Sequence, residues 1–262
     1  MTLQCAILAG GLGTRMLPAT ETVPKALLPV LGTPFVDWQL DLLASRGVRR
    51  VVCCVGHLGN LLVEHVGDGS RHGLEVRWAD EGPRRLGTAG ALRLAVDLGL
   101  LDEAFLVLYG DSYLPIDPGP VEEAWRRSGL PALMTVLRNE DRWDRSNCVY
   151  RDGRVVLYDK RRPVERREEM AWIDYGLSVL TRASIIHSVA SGAVADLADV
   201  QRALSMSGRL AGCEVHQRFY EAGSPAGLRE LEEHLRGTAG DDVTDPGCSG
   251  DAAGAQARAD RT

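Results

Sequence analysis

The first 111 residues of this chain alternate short apolar segments with segments of helical periodicity. The apolar segments predict strands at 3–8, 50–55, 74–78 and 104–109, and the periodic ones predict helices at 34–45, 58–66 and 88–98. Parallel strands need a long crossover, which is usually a helix. This order therefore predicts a parallel, doubly wound sheet with helices on both of its faces.

The second half predicts a more mixed arrangement. Asp152-Gly153 is a strong turn signal inside a predicted hairpin at 148–159. Further strands are predicted at 131–138, 171–180 and 213–220, and helices at 182–190, 196–206 and 224–235, with Thr88 as a candidate N-cap in the first half. We expect a mixed, mostly parallel Rossmann-like sheet in a three-layer αβα architecture, carrying a lobe that covers the substrate.

Length, charge and composition narrow the class of protein. The 262 residues suit one α/β domain, and the formal net charge of -6 argues against nucleic-acid binding. We find no apolar run near the roughly 18 residues of a membrane span and no export signal at the start, so the expected location is cytoplasmic. The expected domain is 1–237. The tail 238–262 is predicted to be disordered because it lacks large apolar residues.

The stretch between Ala6 and Val30 carries a glycine-rich loop directly after the first predicted strand. It reads AILAGGLGTRMLPATETVPKALLPV. The third glycine of a dinucleotide fingerprint is missing, and so is the lysine–hydroxyl pair of a Walker loop. Glycines let backbone N–H groups turn toward phosphate oxygens, Arg15 can contact two such oxygens, and Lys25 supplies a point charge. The loop is thus predicted to hold a polyphosphate, the alternative being a plain turn with a solvated arginine.

These residues resemble a known signature. The segments LAGGLGTRMLPAT and PKALLPV are similar to those of sugar-1-phosphate nucleotidyltransferases, and the order of matching segments extends the resemblance over roughly 3–235. It implies a nucleotide-diphospho-sugar transferase type of fold, a requirement for Mg²⁺, and transfer of a nucleotidyl group from a nucleoside triphosphate to a sugar 1-phosphate. It also implies that the nucleotide is bound by Leu8, Ala9, Gly10, Gly11, Gly13, Thr14 and Gly110.

Two carboxylates are candidate metal ligands. Asp111 follows an apolar strand, and ligands of open α/β sheets gather at the carboxyl ends of strands. The resemblance implies a second carboxylate in Tyr220-Glu221-Ala222-Gly223-Ser224-Pro225, where Glu221 replaces the family's aspartate. Arg15, Lys25 and Asp111 are the expected catalytic residues. A turn aspartate at 111 and a glutamate before a helix at 221 are the structural alternatives.

Other segments are candidates for holding the base and the sugar. Gly87 and Thr88 open a helix in a stretch that resembles the family's base and sugar contacts, and Glu81 could accept hydrogen bonds from guanine unless it is a surface carboxylate. The resemblance also implies sugar-phosphate contact by Lys160 and sugar contact by Asp174 and Gly176. Segment 142–147 is a candidate lid.

The branch with the greatest resemblance is the heptose or hexose 1-phosphate guanylyltransferases, from the short length and the Leu-Gly-Thr-Ala-Gly-Ala and Tyr-Gly-Asp-Ser segments. Uridylyl, cytidylyl or thymidylyl transfer, a non-catalytic regulatory subunit and a molybdenum-cofactor nucleotidyltransferase stay open. The expected partners are a triphosphate, with GTP favoured, and a sugar 1-phosphate. Nucleic acid and membrane are not expected, and a homodimer is left open.

Overall fold

The computed structural model describes residues 2–238. Its strands are β1 Gln4–Leu8, β2 Pro29–Val30, β3 Thr33–Pro34, β4 Arg50–Val55, β5 Glu75–Asp80, β6 Ala104–Tyr109, β7 Ser112–Tyr113, β8 Ala132–Arg138, β9 Cys148–Arg151, β10 Arg154–Tyr158, β11 Trp172–Thr181, β12 Leu210–Val215 and β13 Tyr220–Glu221. Its α-helices are α1 Phe35–Ser45, α2 Gly59–Val66, α3 Gly87–Asp97, α4 Pro118–Ser128, α5 Arg182–Ser188, α6 Leu197–Met206 and α7 Pro225–Thr238.

One large sheet organises these elements. Its strand order is β5-β4-β1-β6-β11-β8-β12-β10-β9. Strands β5, β4, β1 and β6 pair in parallel, as do β8 and β12, whereas β11 and β10 are antiparallel to their neighbours. The mixed, mostly parallel sheet is therefore confirmed, with the antiparallel strands in the second half of the chain as predicted.

Helices cover both faces of the sheet. Side chains alternate in direction along each strand, so Cys5 and Ile7 of β1 join the core beneath α1, α2 and α4, while Ala6 joins the core beneath α3, α5 and α6. Both cores are made mostly of buried aliphatic side chains. This is the expected three-layer αβα architecture, and it leaves the carboxyl ends of β1, β4 and β6 at one edge of the sheet.

Two local predictions are wrong. Thr88 is not the cap of α3, because that helix begins at Gly87 and the Thr88 hydroxyl instead donates to Asp196 at 3.0 Å. The predicted strand 213–220 is divided, with β12 ending at Val215 and β13 forming separately. The helix α4 was not predicted, although Asp117 caps it by accepting a hydrogen bond from the N–H of Gly119.

A smaller layer at the carboxyl edge of the sheet joins β13 and α7 to the segment that follows β6. Strand β13 pairs with β7, so Glu221 lies opposite Ser112. Helix α7 packs Leu231 and Leu235 against Phe35 and Tyr113 in a separate small core. The chain thus returns to the end of β6. Helix α7 continues to Thr238, the first residue of the predicted tail, and the rest of that tail lies outside the described residues.

Across residues 2–238, we find no helix with the length and apolar character that crossing a membrane requires.

Candidate active site

The glycine-rich loop leaves β1 at the carboxyl edge of the sheet. The N–H of Ala9 donates to the carbonyl of Cys54 at 2.8 Å, which ties the loop to β4. Gly13 has a φ of +64°, and a Cβ there would lie 2.9 Å from the Thr20 side chain. At Gly11, a Cβ would have nothing within 4 Å. The loop is therefore anchored at its two ends and open at Gly11.

Four charged side chains meet beside this loop. Lys25 Nζ lies 2.5 Å from Asp111 Oδ2. Arg15 Nη2 lies 3.4 Å from Glu221 Oε2 and 3.9 Å from Asp111 Oδ2. The Arg15 side chain is 63% exposed but that of Lys25 only 19%, so Arg15 is free to move toward a ligand while Lys25 is held in place. The structure brings together all four residues that were expected to serve catalysis and metal binding.

Gly223 lies at the centre of this cluster and was missed as a site residue. A Cβ there would lie 2.8 Å from Arg15 Nη2, 2.9 Å from Glu221 Oε2 and 3.0 Å from Asp111 Oδ2. Any larger side chain would push the charged groups apart. Its place in the Glu-Ala-Gly-Ser-Pro segment was the signal that could have identified it.

The turn that carries Asp111 is braced by a second residue that was missed. The Gln39 amide, 2% exposed, donates from Nε2 to the carbonyls of Tyr109 at 3.0 Å and Ser112 at 2.8 Å. The carbonyl of Asp111 itself accepts from the N–H of Ala222 at 2.8 Å. Gln39 therefore fixes both ends of the Tyr109–Ser112 turn from below. Only its buried position on α1, which the sequence does not reveal, gives it this role.

Glu221, the last residue of β13, is oriented by Ser224, which immediately precedes helix α7. Its Oε1 accepts from the Ser224 hydroxyl at 3.0 Å, and that hydroxyl accepts from the N–H of Gly227 at 3.0 Å. The other oxygen, Oε2, is left to face Arg15. The longer glutamate side chain therefore still reaches the centre where the family pattern has an aspartate.

The pair Asp111 and Glu221 suits a hard cation. Mg²⁺ prefers oxygen ligands and is held in many proteins by one or two carboxylates together with substrate phosphates. Within the described residues, no group of three or more His, Cys, Asp or Glu side chains could hold a metal ion. The two carboxylates fit a metal that arrives with phosphate ligands and do not make a complete cage.

A cavity of about 240 Å³ adjoins the charged cluster. It is lined by Leu8, Gly10, Gly11, Lys25, Cys54, Glu81, Arg85, Gly87, Thr88, Ala91, Tyr109 and Asp111. Most of the residues expected to bind the nucleotide thus line this one cavity. Gly110 lies beneath it, where a Cβ would meet the carbonyl of Leu8 at 2.8 Å, so glycine allows β6 to end against the loop.

Glu81 is a built-in part of this cavity and not a surface glutamate. Its Oε2 accepts from the N–H of Leu86 at 2.7 Å, and its Oε1 would lie 3.0 Å from a Cβ on Gly10 and 2.4 Å from one on Gly56. Burial raises the pKa of Glu81, and the hydrogen bond from Leu86 opposes that effect. Gly56, which was not predicted as a site residue, is the glycine that makes room for this carboxylate.

The start of α3 differs from the expectation. The carbonyl of Ala195 accepts from the N–H groups of Ala89 at 3.0 Å and Gly90 at 3.3 Å, so these two N–H groups are already used. A Cβ on Gly87 would lie 2.5 Å from the same carbonyl. The small residues of this helix therefore accommodate the 193–195 segment. Gly87 and Thr88 still line the cavity.

The residues expected to hold the sugar lie near Tyr109, the last residue of β6, with Asp174 and Gly176 on the paired strand β11. Lys160 Nζ stands 5.6 Å from the centroid of the Tyr109 ring. Asp174 Oδ1 accepts from the N–H of Gly176 at 3.0 Å, and its Oδ2 accepts from the Tyr158 hydroxyl at 3.3 Å. Burial raises the pKa of Asp174, while Lys160 and these hydrogen bonds lower it. Gly176 has a φ of +107°, at an irregularity where β11 pairs with β8.

Comparison with known proteins settles the family. A sequence model described as nucleotidyl transferase matches residues 5–142, which is more than half of the chain. The chain belongs to the nucleotidyl transferase family.

Two curated relatives of this nucleotidyl transferase show the range of similarity. It is 30% identical to the D-glycero-alpha-D-manno-heptose 1-phosphate guanylyltransferase of Campylobacter jejuni over 69% of this chain and 76% of that protein. It is 38% identical to the N-acetylmuramate alpha-1-phosphate uridylyltransferase of Neisseria meningitidis serogroup B over 44% of this chain and 49% of that protein. The chain spans about half the length of several curated relatives that it matches, 43–49% of each.

A solved structure shares the fold. HddC from Yersinia pseudotuberculosis, crystallised with GMP-PN, superposes with a TM-score of 0.72 at 20% identity, covering 89% of this chain and 99% of that one. The nucleotide-diphospho-sugar transferase type of fold expected from the sequence is thereby confirmed.

Hydrogen bonds from Asn139 hold the candidate lid, segment 142–147, of this nucleotidyl transferase. Asn139 Nδ2 donates to the carbonyl of Asp144 at 2.6 Å and to the Ser146 hydroxyl at 2.9 Å. Trp143 carries the guanidinium groups of Arg142 and Arg218, 4.4 and 4.1 Å from its ring centroid. The segment 142–147 thus contacts the irregular segment between β12 and β13 that leads to Glu221, and its role as a lid stays a prediction.

Proposed function

We propose that this nucleotidyl transferase transfers a nucleotidyl group from a nucleoside triphosphate to a sugar 1-phosphate and releases pyrophosphate. The observation that carries the proposal is the meeting of Arg15, Lys25, Asp111 and Glu221 beside a cavity lined by the glycine-rich loop. Two cations suit the phosphates, and two carboxylates would suit a divalent cation.

The proposed reaction does not need a general base. A sugar 1-phosphate oxygen is already ionised at neutral pH and can attack the α-phosphorus directly. Catalysis then rests on positioning and on electrostatic stabilisation of an in-line displacement. Arg15 and Lys25 neutralise the α-phosphate and the departing pyrophosphate, and Lys160 holds the attacking phosphate. Glycine N–H groups of the loop orient the triphosphate.

Asp111 and Glu221 would hold Mg²⁺, whose positive charge, when it is bound, stabilises the charge that develops on the phosphate oxygens. Asp111 is paired with Lys25 and Glu221 with Arg15. An incoming triphosphate competes for those cations and thereby frees carboxylate oxygens. Glu221 reaches the cluster in spite of its extra methylene, which favours a catalytic protein over a non-catalytic regulatory subunit.

GTP and a heptose or hexose 1-phosphate are the proposed substrates. Guanine presents donors at N1 and N2, and Glu81 places a half-buried carboxylate acceptor in the wall of the cavity. The Campylobacter relative is named a heptose 1-phosphate guanylyltransferase. Uridylyl, thymidylyl and cytidylyl transfer are the alternatives. A cytoplasmic location and a homodimer stay predictions.

The test is a matrix of substrates. Five nucleoside or deoxynucleoside triphosphates are each incubated with several sugar 1-phosphates and Mg²⁺, and pyrophosphate release is measured. Release that needs both substrates supports the proposed reaction, and the greatest rate with GTP supports the proposed base. Release with no pair overturns the reaction, whereas preference for UTP or dTTP overturns only the base.

A further inference from the structure

The hydroxyl of Tyr109 is buried and has no hydrogen-bond partner among residues 2–238. Tyr109 ends β6 immediately before the turn of Asp111, and its side chain lines the cavity together with Thr88 and Leu8. A buried hydroxyl without a partner is costly to the folded protein. Such a group at the wall of a ligand cavity points to a ligand that supplies the missing partner.

Strand β11 pairs with β6 at Leu177 and Leu108, which brings the part of β11 that carries Asp174 beside Tyr109. The phenol of tyrosine is neutral at ordinary pH and is able to donate a hydrogen bond. Asp196 Oδ1 already accepts from the Thr88 hydroxyl and from the N–H of Ala198.

Asp174 has acceptor capacity to spare. Each of its oxygens accepts one hydrogen bond from the protein, from Gly176 and from Tyr158, and a carboxylate oxygen can accept two. Lys160 Nζ stands 5.6 Å from the centroid of the Tyr109 ring, so the cation expected to bind a phosphate is next to this tyrosine.

We propose that Tyr109 is a specificity-determining residue, whose hydroxyl and the Asp174 carboxylate together hold one ring hydroxyl of the sugar. The sugar hydroxyl donates to Asp174 and accepts from Tyr109, while Lys160 holds the phosphate of the same molecule. The inference rests on the proposed function, since it takes the sugar 1-phosphate as the ligand. It accounts for a polar atom that residues 2–238 leave without a partner.

The test compares wild type with Tyr109→Phe, which removes only the hydroxyl. We expect an unchanged or higher Tm, because an unpaired buried group is lost. In steady-state kinetics with the most active substrate pair, we expect KM for the sugar 1-phosphate to rise roughly tenfold, with KM for the triphosphate unchanged. Tyr150→Phe is the matched control, since Tyr150 packs edge-on against Trp172 at 5.8 Å, and both KM values should stay at wild type.

A panel of monodeoxy sugar 1-phosphates identifies the contact. Wild type should lose about tenfold in kcat/KM for the analogue that lacks the contacted hydroxyl, and Tyr109→Phe should be nearly indifferent to that deletion. Equal sensitivity of the two proteins to every analogue, or an unchanged KM for the sugar 1-phosphate in Tyr109→Phe, would overturn the inference.

A binding measurement separates this inference from the proposed function. Thermal stabilisation is measured with GDP-mannose, UDP-glucose and dTDP-glucose, without catalysis. A nucleotide sugar that stabilises wild type more than Tyr109→Phe supports the inference even if no pyrophosphate is released in the substrate matrix. Equal stabilisation of both proteins, or of neither, counts against Tyr109 while leaving the kinetic test of the reaction untouched.

Discussion

Lys25 Nζ lies 2.5 Å from Asp111 Oδ2, although the two residues are 86 positions apart in the chain. Lys25 comes from the segment that follows the glycine-rich loop, and Asp111 from the end of β6. Because β1 and β6 are paired neighbours, the fold brings both segments to one edge of the sheet. The pair neutralises both charges, so a phosphate that binds Lys25 has to compete with the Asp111 carboxylate.

Substitutions at Glu221 test whether this glutamate serves as a metal ligand in place of the family's aspartate. Glu221→Gln keeps the size and the Ser224 hydrogen bond but removes the charge, so we expect pyrophosphate release to fall about 100-fold and to need more Mg²⁺. Glu221→Asp keeps the charge and shortens the reach, so the expected loss is smaller, about tenfold. Wild-type rates and Mg²⁺ dependence in Glu221→Gln would show that this carboxylate is not a ligand.

Gln39 tests the bracing of the catalytic turn. Gln39→Leu leaves the carbonyls of Tyr109 and Ser112 without their donor, so we expect a loss of about 1–3 kcal/mol of unfolding free energy and a lower kcat as Asp111 is displaced. Gln201→Leu is the matched control, because Gln201 is equally buried but bonds to Ser178 on β11. It should lose stability without losing kcat. Equal effects on kcat in both variants would contradict a positioning role for Gln39.

The sequence predicts the strands and the glycine-rich loop better than it predicts the residues that position the site. Apolar runs identify the strands, and the glycines identify the loop after β1, because both signals lie within a few consecutive residues. Helix α4 is not predicted from the sequence, because its first residues, Pro-Gly-Pro, suggest a loop and its buried face has few apolar side chains. Gly223 and Gln39 gain their roles only from contacts with distant segments. Thr88 was misplaced because a local cap signal competes with a tertiary partner, Asp196.

Asp159 gives a pH dependence to stability. The hydrogen bond and charge of Arg161 and the contact with Arg202 lower the pKa of Asp159 from 3.8 to about 2. A depressed pKa in the folded state stabilises the protein above pH 3.8, and this contribution is lost as the pH falls toward 2. We expect Asp159→Asn to cost about 1 kcal/mol at neutral pH. Denaturant titrations of both proteins should converge near pH 2, and a constant difference would contradict this account.

Glu81 tests the choice of base. Glu81→Gln keeps an oxygen for the N–H of Leu86 but loses the negative charge that two guanine donors would meet, so we expect kcat/KM for GTP to fall about 10- to 100-fold. The rate with UTP should fall less. An unchanged ratio between GTP and UTP would remove Glu81 from base selection. Thermal unfolding of the variant controls for damage to the packing around Gly10 and Gly56.

The most direct measurement of the central claim is pyrophosphate release by wild type and by Asp111→Asn under identical conditions. The amide keeps the shape of the side chain but cannot balance Lys25 or serve as a charged metal ligand. The account predicts release by wild type only when triphosphate, sugar 1-phosphate and Mg²⁺ are all present, and at least about a 100-fold loss in Asp111→Asn with an unchanged circular dichroism spectrum. Near wild-type release by folded Asp111→Asn would contradict it.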